Sequence, residues 1–154
     1  MDEAQQSCSS PAIRPAHLED SDVLQGLLTS LDQETPPAAD HARACLQRCQ
    51  DNPNCTVFLA WDGDRAVGTY SLYLLETVGH GGAFFAVVES VVVCPRQRGT
   101  GIGRCMMTHA RYQAQAAGCY KLMLSSNVKR QDAHRFYDAL GFTRHGYSFS
   151  VDID

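Results

Sequence analysis

The chain has 154 residues, 44% hydrophobic and 19% charged, and its 17 acidic and 13 basic side chains leave a net charge of −4. That is ordinary for one folded domain with a proper core. An acidic chain lacks the basic surface of a general nucleic-acid binder, and no apolar run approaches the roughly 20 residues of a membrane span.

Residues 1–11 are polar and serine-rich and read as a flexible N-terminal tail, with 12–154 as a single domain. Met1-Asp2-Glu3-Ala4-Gln5-Gln6 has neither the basic start nor the apolar core of a signal peptide, so a cytoplasmic location is expected. Ile13-Arg14-Pro15-Ala16 predicts a short strand. Asp20 or Ser21 is placed to cap a helix carrying Val23, Leu24, Leu27, Leu28 and Leu31 at helical spacing. Thr35-Pro36-Pro37 breaks it, and a second helix is expected from about Ala38 to Gln50. Asn52-Pro53-Asn54 reads as a turn. Cys55 to Trp61 and Arg65 to Leu75 read as a hairpin around Asp62-Gly63-Asp64. Gly79-His80-Gly81-Gly82 is a flexible loop before a long strand from Ala83 to Val93.

That strand stops at Cys94-Pro95, and Arg96-Gln97-Arg98-Gly99-Thr100-Gly101-Ile102-Gly103-Arg104 follows before a helical pattern opens at Arg104. Three glycines at alternate positions let backbone N–H groups approach a ligand without Cβ hindrance. The same groups lie at a helix N-terminus, where unpaired donors and the dipole favour anions. Arg96, Arg98 and Arg104 add positive charge, and the stretch reads as a pyrophosphate cradle. A plain surface turn is the competing reading of the loop alone. A Walker loop needs Gly-Lys-Ser/Thr, but Gly103-Arg104-Cys105 offers no hydroxyl for magnesium. A dinucleotide fingerprint spaces its glycines GxGxxG after the first strand of a βαβ unit, which Gly99-x-Gly101-x-Gly103 does not.

Beyond the loop, Met106, Met107, His109, Ala110, Ala114 and Ala117 mark a helix with Gly118 as its C-cap. Cys119 to Leu124 reads as a strand and Lys129 to Leu140 as a helix ended by Gly141. Phe142 to Ile153 alternates well enough for one or two further strands. The whole is a mixed α/β sheet. The seven cysteines, Cys8, Cys45, Cys49, Cys55, Cys94, Cys105 and Cys119, are odd in number and irregular in spacing, so no disulfide framework is expected. Cys45, Cys49 and Cys55 raise a metal site, but no CxxC pair or matching histidine spacing supports it. They read as structural or incidental thiols, and no metal is expected.

The spacing Arg-x-x-Gly-x-Gly, filled by Arg98, Gly101 and Gly103, resembles the acyl-CoA loop of the GNAT superfamily of N-acetyltransferases. Glu89 to Ala117 looks like that superfamily's motif A, and Ser126 to Phe142 like its motif B. Ile13-Arg14-Pro15 and the Asp62-Gly63 hairpin also fall where such proteins have them, so the resemblance covers nearly the whole chain from about residue 12. It implies the GNAT fold, an α/β (α+β) domain with a mixed central β-sheet of six or seven strands flanked by about four helices. Asn127-Val128-Lys129-Arg130 followed by Asp132-Ala133-His134-Arg135-Phe136-Tyr137 is similar to aminoalkylphosphonate N-acetyltransferases. Glu89 before a valine run and Gly118-Cys119-Tyr120-Lys121 are similar to glucosamine-6-phosphate N-acetyltransferases. Ser90 stands where many relatives place an acidic residue, which leaves Glu89 as the nearest carboxylate on the strand.

The resemblance implies acetyl transfer from acetyl-CoA to the primary amine of a small molecule, by direct attack in a ternary complex. That chemistry needs a neutral amine, a stabilised oxyanion and a proton for the leaving thiolate. Glu89 is the candidate base, directly or through water, or else a carboxylate that attracts a cationic substrate. Strand parity puts it with Val91 and Val93 and against Ser90 and Val92. Backbone N–H groups of Val91, Val92 and Val93 would polarise the thioester carbonyl and bind the pantetheine arm. Arg98, Gly99, Thr100, Gly101, Ile102, Gly103 and Arg104 would hold the pyrophosphate. Tyr137 is the candidate general acid, or a core tyrosine beside Phe136. Asn127 bonds cofactor or substrate, or simply starts the following helix, and His134 reads as structural. His80 is placed to touch substrate or a metal, or to lie in solvent, and Gln33 and Glu34 fall where relatives build the acceptor pocket. Cys94 and Cys105 flank the cradle without an activating partner. Lys129, Arg130 and Arg135 would serve a phosphonate or phosphate on the acceptor, the 3′-phosphate of CoA, or solvent. A non-catalytic acyl-CoA-binding regulatory module would keep the loop and lose Glu89 and Tyr137. The expected partners are a small-molecule amine and a second copy in a homodimer, with no nucleic acid and no membrane.

Overall fold

The computed structural model describes residues 10–30 and 40–153, in two compact units, Met1–Met123 and Leu124–Asp154. In the first, five strands form one sheet in chain order: β1 (Ala12–Pro15), β2 (Cys55–Asp62), β3 (Arg65–Glu76), β4 (Phe84–Val93) and β5 (Leu122–Met123). The first four are antiparallel neighbours. β5 lies parallel to β4, because a helix of 15 residues, α3 (Ile102–Ala116), carries the chain back across the sheet. The middle of β2 and of β3 is buried at consecutive residues rather than alternate ones, since helices cover both faces.

Strand alternation divides the core. On one face, Val57 and Leu59 of β2 pack with Leu24 and Leu27 of α1 (Ser21–Leu28) and with Ala42 and Leu46 of α2 (His41–Gln50). The Gln25 side chain accepts the Ala42 N–H at 3.0 Å and ties the two helices together. On the other face, Phe58 and Tyr70 stack at 5.1 Å and meet His109 of α3. A Cβ on Gly68 would stand 2.6 Å from Met106 Sδ and 3.0 Å from the Val92 carbonyl oxygen, so only glycine lets α3 sit this close to β3. α3 ends as expected at Gly118, whose φ is +74°. There the Cys119 N–H reaches the Ala114 carbonyl and the Gly118 N–H that of Gln115, the paired bonds of a Schellman ending.

Three expectations change. Asp20 precedes α1, but its carboxylate caps no helix N–H. It is buried and accepts two bonds from Arg14, at 2.7 and 3.0 Å, and one from the His17 N–H at 2.8 Å. The strand from Cys119 shrinks to Leu122–Met123. The sheet has five strands among the described residues, not six or seven, because Phe142 to Ile153 forms none. Tyr147, Phe149, Val151 and Ile153 keep the two-residue alternation yet stand exposed; alternation marks a strand only where a ladder partner exists.

In the second unit, α4 (Gln131–Ala139) begins two residues later than expected. Asn127 Oδ1 accepts the Lys129 N–H at 2.9 Å and forms a turn before the helix. The helix ends as α3 does, with Phe142 N–H on the Tyr137 carbonyl and Gly141 N–H on that of Asp138. Arg144 pairs with Asp138 at 2.7 Å.

The Arg14 guanidinium holds the Asp20 carboxyl below the ordinary 3.8, against the opposing effect of burial. The native state therefore binds fewer protons than the unfolded chain. The resulting stability is present above the ordinary value and is lost as pH falls through the lowered one. Asp20→Asn should cost about 1.5–3 kcal/mol in denaturant titrations at neutral pH. Its gap from the unsubstituted protein should close in acid.

Candidate active site

β4 is where the sheet stops being regular. Ser71 of β3 pairs with Glu89 and Thr69 pairs with Val92, so Tyr70 alone opposes both Ser90 and Val91. This is a β-bulge, and Ser90 sits at its centre with φ +53°, in the left-handed region. The extra residue overturns the expected parity. Glu89 shares a face with Val92, through Ser71 and Thr69, and Val93 falls on the opposite face beside Gly68. The bulge therefore turns Glu89, which is exposed, toward the side that α1 and α2 cover. The same irregularity takes a residue of the Ser90–Val91 pair out of the ladder, and unpaired backbone in a strand is available to a ligand.

Past Val93, Pro95–Gln97 make a single 3₁₀ turn and the chain enters α3 through Gly99 and Gly101, at φ +79° and +92°. Gly101 is the residue before the helix, which therefore opens at Ile102 rather than Arg104. The first intrahelical bond runs from the Cys105 N–H to the Gly101 carbonyl. No side chain caps the N-terminus, and no acidic residue stands in the first turn. The Thr100 hydroxyl donates to the Gln97 carbonyl at 2.6 Å and braces the loop. Arg96, Arg98 and Arg104 are exposed. Uncapped N–H donors at the positive end of a 15-residue helix, flanked by guanidinium groups, fit a phosphate-bearing ligand.

A buried polar tie holds α3. Tyr70 Oη and His109 Nδ1 are 2.7 Å apart, and Gln113 Nε2 lies 3.3 Å from His109 Nε2. Burial pushes the Tyr70 phenol up and the His109 imidazole down, so both are neutral at physiological pH.

The other expected residues are spread out. His80 stands before the first residue of β4, its ring 4.9 Å from that of Tyr120. The 10-residue strand β4 separates it from the glycine loop by roughly 30 Å. Among the described residues no three His, Cys, Asp or Glu side chains converge to hold a metal ion. Gln33 and Glu34 lie outside the described residues. Cys94 packs at the edge of the core under α1 and α2. Within the second unit, Tyr137 lies with its ring 5.1 Å from Phe136 and 5.7 Å from Phe142. His134 is bonded through Nε2 to the Asn127 carbonyl at 2.9 Å, a structural use. Sequence reasoning names Ser90 only as the place of an absent carboxylate and misses the bulge it centres, whose one signal is a polar residue interrupting an apolar run.

A strand broken by a bulge thus leads through a glycine loop into an uncapped helix. Residues 24–142 match the Acetyltransferase (GNAT) family, and the chain belongs to that family. It is 32% identical over 143 residues to glucosamine 6-phosphate N-acetyltransferase of Trypanosoma brucei brucei, covering 88% of this chain and 92% of that one. It is 33% identical over 99 residues to aminoalkylphosphonate N-acetyltransferase of Salmonella typhimurium. That match covers 64% of each chain, just under two thirds of the relative's length. The aminoglycoside N-acetyltransferase AAC(6')-Iy, solved in complex with CoA, has the same fold at a TM-score of 0.82 and 16% identity, over 94% of this chain and 95% of that one. Family members are N-acetyltransferases that transfer acetyl to amines, and relatives bind CoA. Among the described residues no helix is long and apolar enough to cross a membrane.

Ser90 carries the strain of the bulge, since φ above zero costs an L-residue with a Cβ roughly 1–2 kcal/mol. Ser90→Gly should hold or raise the melting temperature, while β-branched Ser90→Val should lower it by several degrees in a thermal unfolding scan.

Proposed function

We propose that this chain transfers acetyl from acetyl-CoA to the primary amine of a small molecule by direct attack in a ternary complex. The observation that carries the reading is the uncapped N-terminus of α3 entered through left-handed Gly101. Arg98, Gly99, Thr100, Gly101, Ile102, Gly103 and Arg104 hold the pyrophosphate, the backbone N–H groups supplying directional bonds and the two arginines charge. Bound acetyl-CoA supplies an acetyl group activated as a thioester. Backbone N–H groups from Val91 to Val93 donate to the thioester carbonyl oxygen, where negative charge grows as the amine attacks. Glu89 takes the ammonium proton, directly or through one water, so that a neutral amine is the nucleophile. The carbon–nitrogen bond forms, the carbon–sulfur bond breaks, Tyr137 gives its phenolic proton to the departing thiolate, and the second proton shed by the nitrogen restores the phenol. Asn127 contributes a hydrogen bond to cofactor or substrate, and Gln33, Glu34 and His80 belong to the acceptor side. On the same reading the protein is a cytoplasmic homodimer that binds neither nucleic acid nor membrane.

A more specific acceptor is favoured by the two relatives' names, which pair an amine with a phosphonate or a phosphate. The residues offered to that group are Lys129 and Arg130, both exposed before α4. Arg135 is engaged with Asp132.

Saturating acetyl-CoA should raise the melting temperature, because a ligand at 100 times its Kd stabilises the native state by about 2.7 kcal/mol. No shift overturns the reading. Thiol release should then be fastest with aminoalkylphosphonates or amino-sugar phosphates in a panel that includes unphosphorylated amines and polyamines. Tyr137→Phe should lower kcat by about 100-fold, the lower end of general-acid contributions, without raising the KM for acetyl-CoA. Glu89→Gln should lower kcat/KM for the amine most at neutral pH. That deficit should shrink as pH rises, because solution then supplies the free amine.

A further inference from the structure

Cys49 near the end of α2 and Cys55 at the start of β2 stand with their Sγ atoms 2.7 Å apart, against about 2.05 Å in a disulfide. The turn that joins them builds this approach. The Asn52 N–H donates to the Cys49 carbonyl and the Cys55 N–H to the Asn52 carbonyl, both at 3.1 Å. The Asn54 N–H closes on Asn52 Oδ1 at 3.0 Å. Cys55 is 7% exposed and Cys49 half-buried. A cleft of about 340 Å³ is lined by Pro15, His17, Leu46, Cys49, Pro53 and Cys55, so a small reagent has a route to the pair. Nothing in the acetyl-transfer chemistry uses either thiol.

We infer that Cys49 and Cys55 form a reversible dithiol–disulfide pair that is oxidised by a low-molecular-weight disulfide. The Cys49 thiolate, on the more exposed side, attacks one sulfur of the small disulfide. A mixed disulfide forms and one small thiol leaves with the electron pair of the broken bond. Cys55 gives up its proton and attacks Cys49 Sγ, expelling the second small thiol. Two protein thiols and one small disulfide become one protein disulfide and two small thiols, and an external dithiol reverses the exchange. Burial and the neighbouring thiol push the Cys49 thiol up to about 11. Cys45, one helical turn back, is also raised by burial, and Tyr73, the ladder partner of Cys55, is pushed up to about 12. In this setting the attacking Cys49 thiol is protonated at neutral pH, and exchange is slow rather than absent.

The test uses the full chain, reduced with dithiothreitol, desalted and incubated with oxidised glutathione. Denaturation, alkylation with iodoacetamide and mass spectrometry follow. The expected product lacks two alkylations, yields a peptide cross-linked between Cys49 and Cys55, and regains both on reduction. Cys49→Ala should lose the cross-link, and Cys55→Ala should hold glutathione on Cys49 as a stalled mixed disulfide. Full alkylation of both residues after oxidised glutathione overturns the proposal, as does a cross-link joining Cys45 to Cys49. The unsubstituted protein alone decides this should the buried Cys55→Ala variant not fold, and the mass readout is independent of acetyl transfer.

Discussion

One extra residue in β4 governs the first unit. Because Tyr70 faces both Ser90 and Val91, the pleat slips by one position in the middle of the sheet. Residues before the slip and after it then answer to different faces. Glu89 looks toward the layer made by α1 and α2, and Val93 delivers the chain to the side where α3 begins. An unbroken strand would put Glu89 and Val93 on one face. The carboxylate and the glycine loop would then lose the relation that the bulge sets. The left-handed φ of Ser90 is local strain that the paired strand on either side sustains.

The loop that follows works by omission. Most helices of this length recruit a serine, threonine or aspartate to cap their first turn. α3 instead has Gly101 there and an isoleucine, a glycine and an arginine next, so its donors are left for something outside the chain. Thr100, which has the right chemistry to cap, turns its hydroxyl back to the Gln97 carbonyl. Such an arrangement leaves the positive end of the helix dipole without a compensating side chain.

Features governed by neighbouring residues were legible in the sequence. The Asp62-Gly63 turn and the Gly118 ending depend on a few adjacent dihedral angles and stand where their residues place them, while the glycine loop is shorter than its residues suggest because α3 takes in Ile102, Gly103 and Arg104. What escaped depends on partners distant in the chain. Parity along β4 is not legible from its own residues, because a bulge is a property of two strands counted against each other. The alternation from Tyr147 to Ile153 is real, but alternation states a preference and a ladder needs a neighbour. Asp20 and Ser21 both have the type and place of a cap, yet α1 begins at Ser21 and the Asp20 carboxylate is engaged elsewhere. The Arg14 that claims it lies six residues earlier on a different element.

The pair formed by Tyr70 and His109 has a mechanical meaning for the helix that carries it. His109 lies seven residues after Ile102, close to two full turns, so both project from nearly the same side of α3. Ile102 is buried with Met106. Close apolar packing sets how near α3 lies to the sheet, and a polar bond adds a direction to that contact. A directional, half-buried bond at 2.7 Å works as a dowel. It locks the azimuth of the helix two turns upstream, where the first-turn N–H groups point, and so sets the aim of a socket that the tyrosine itself never touches.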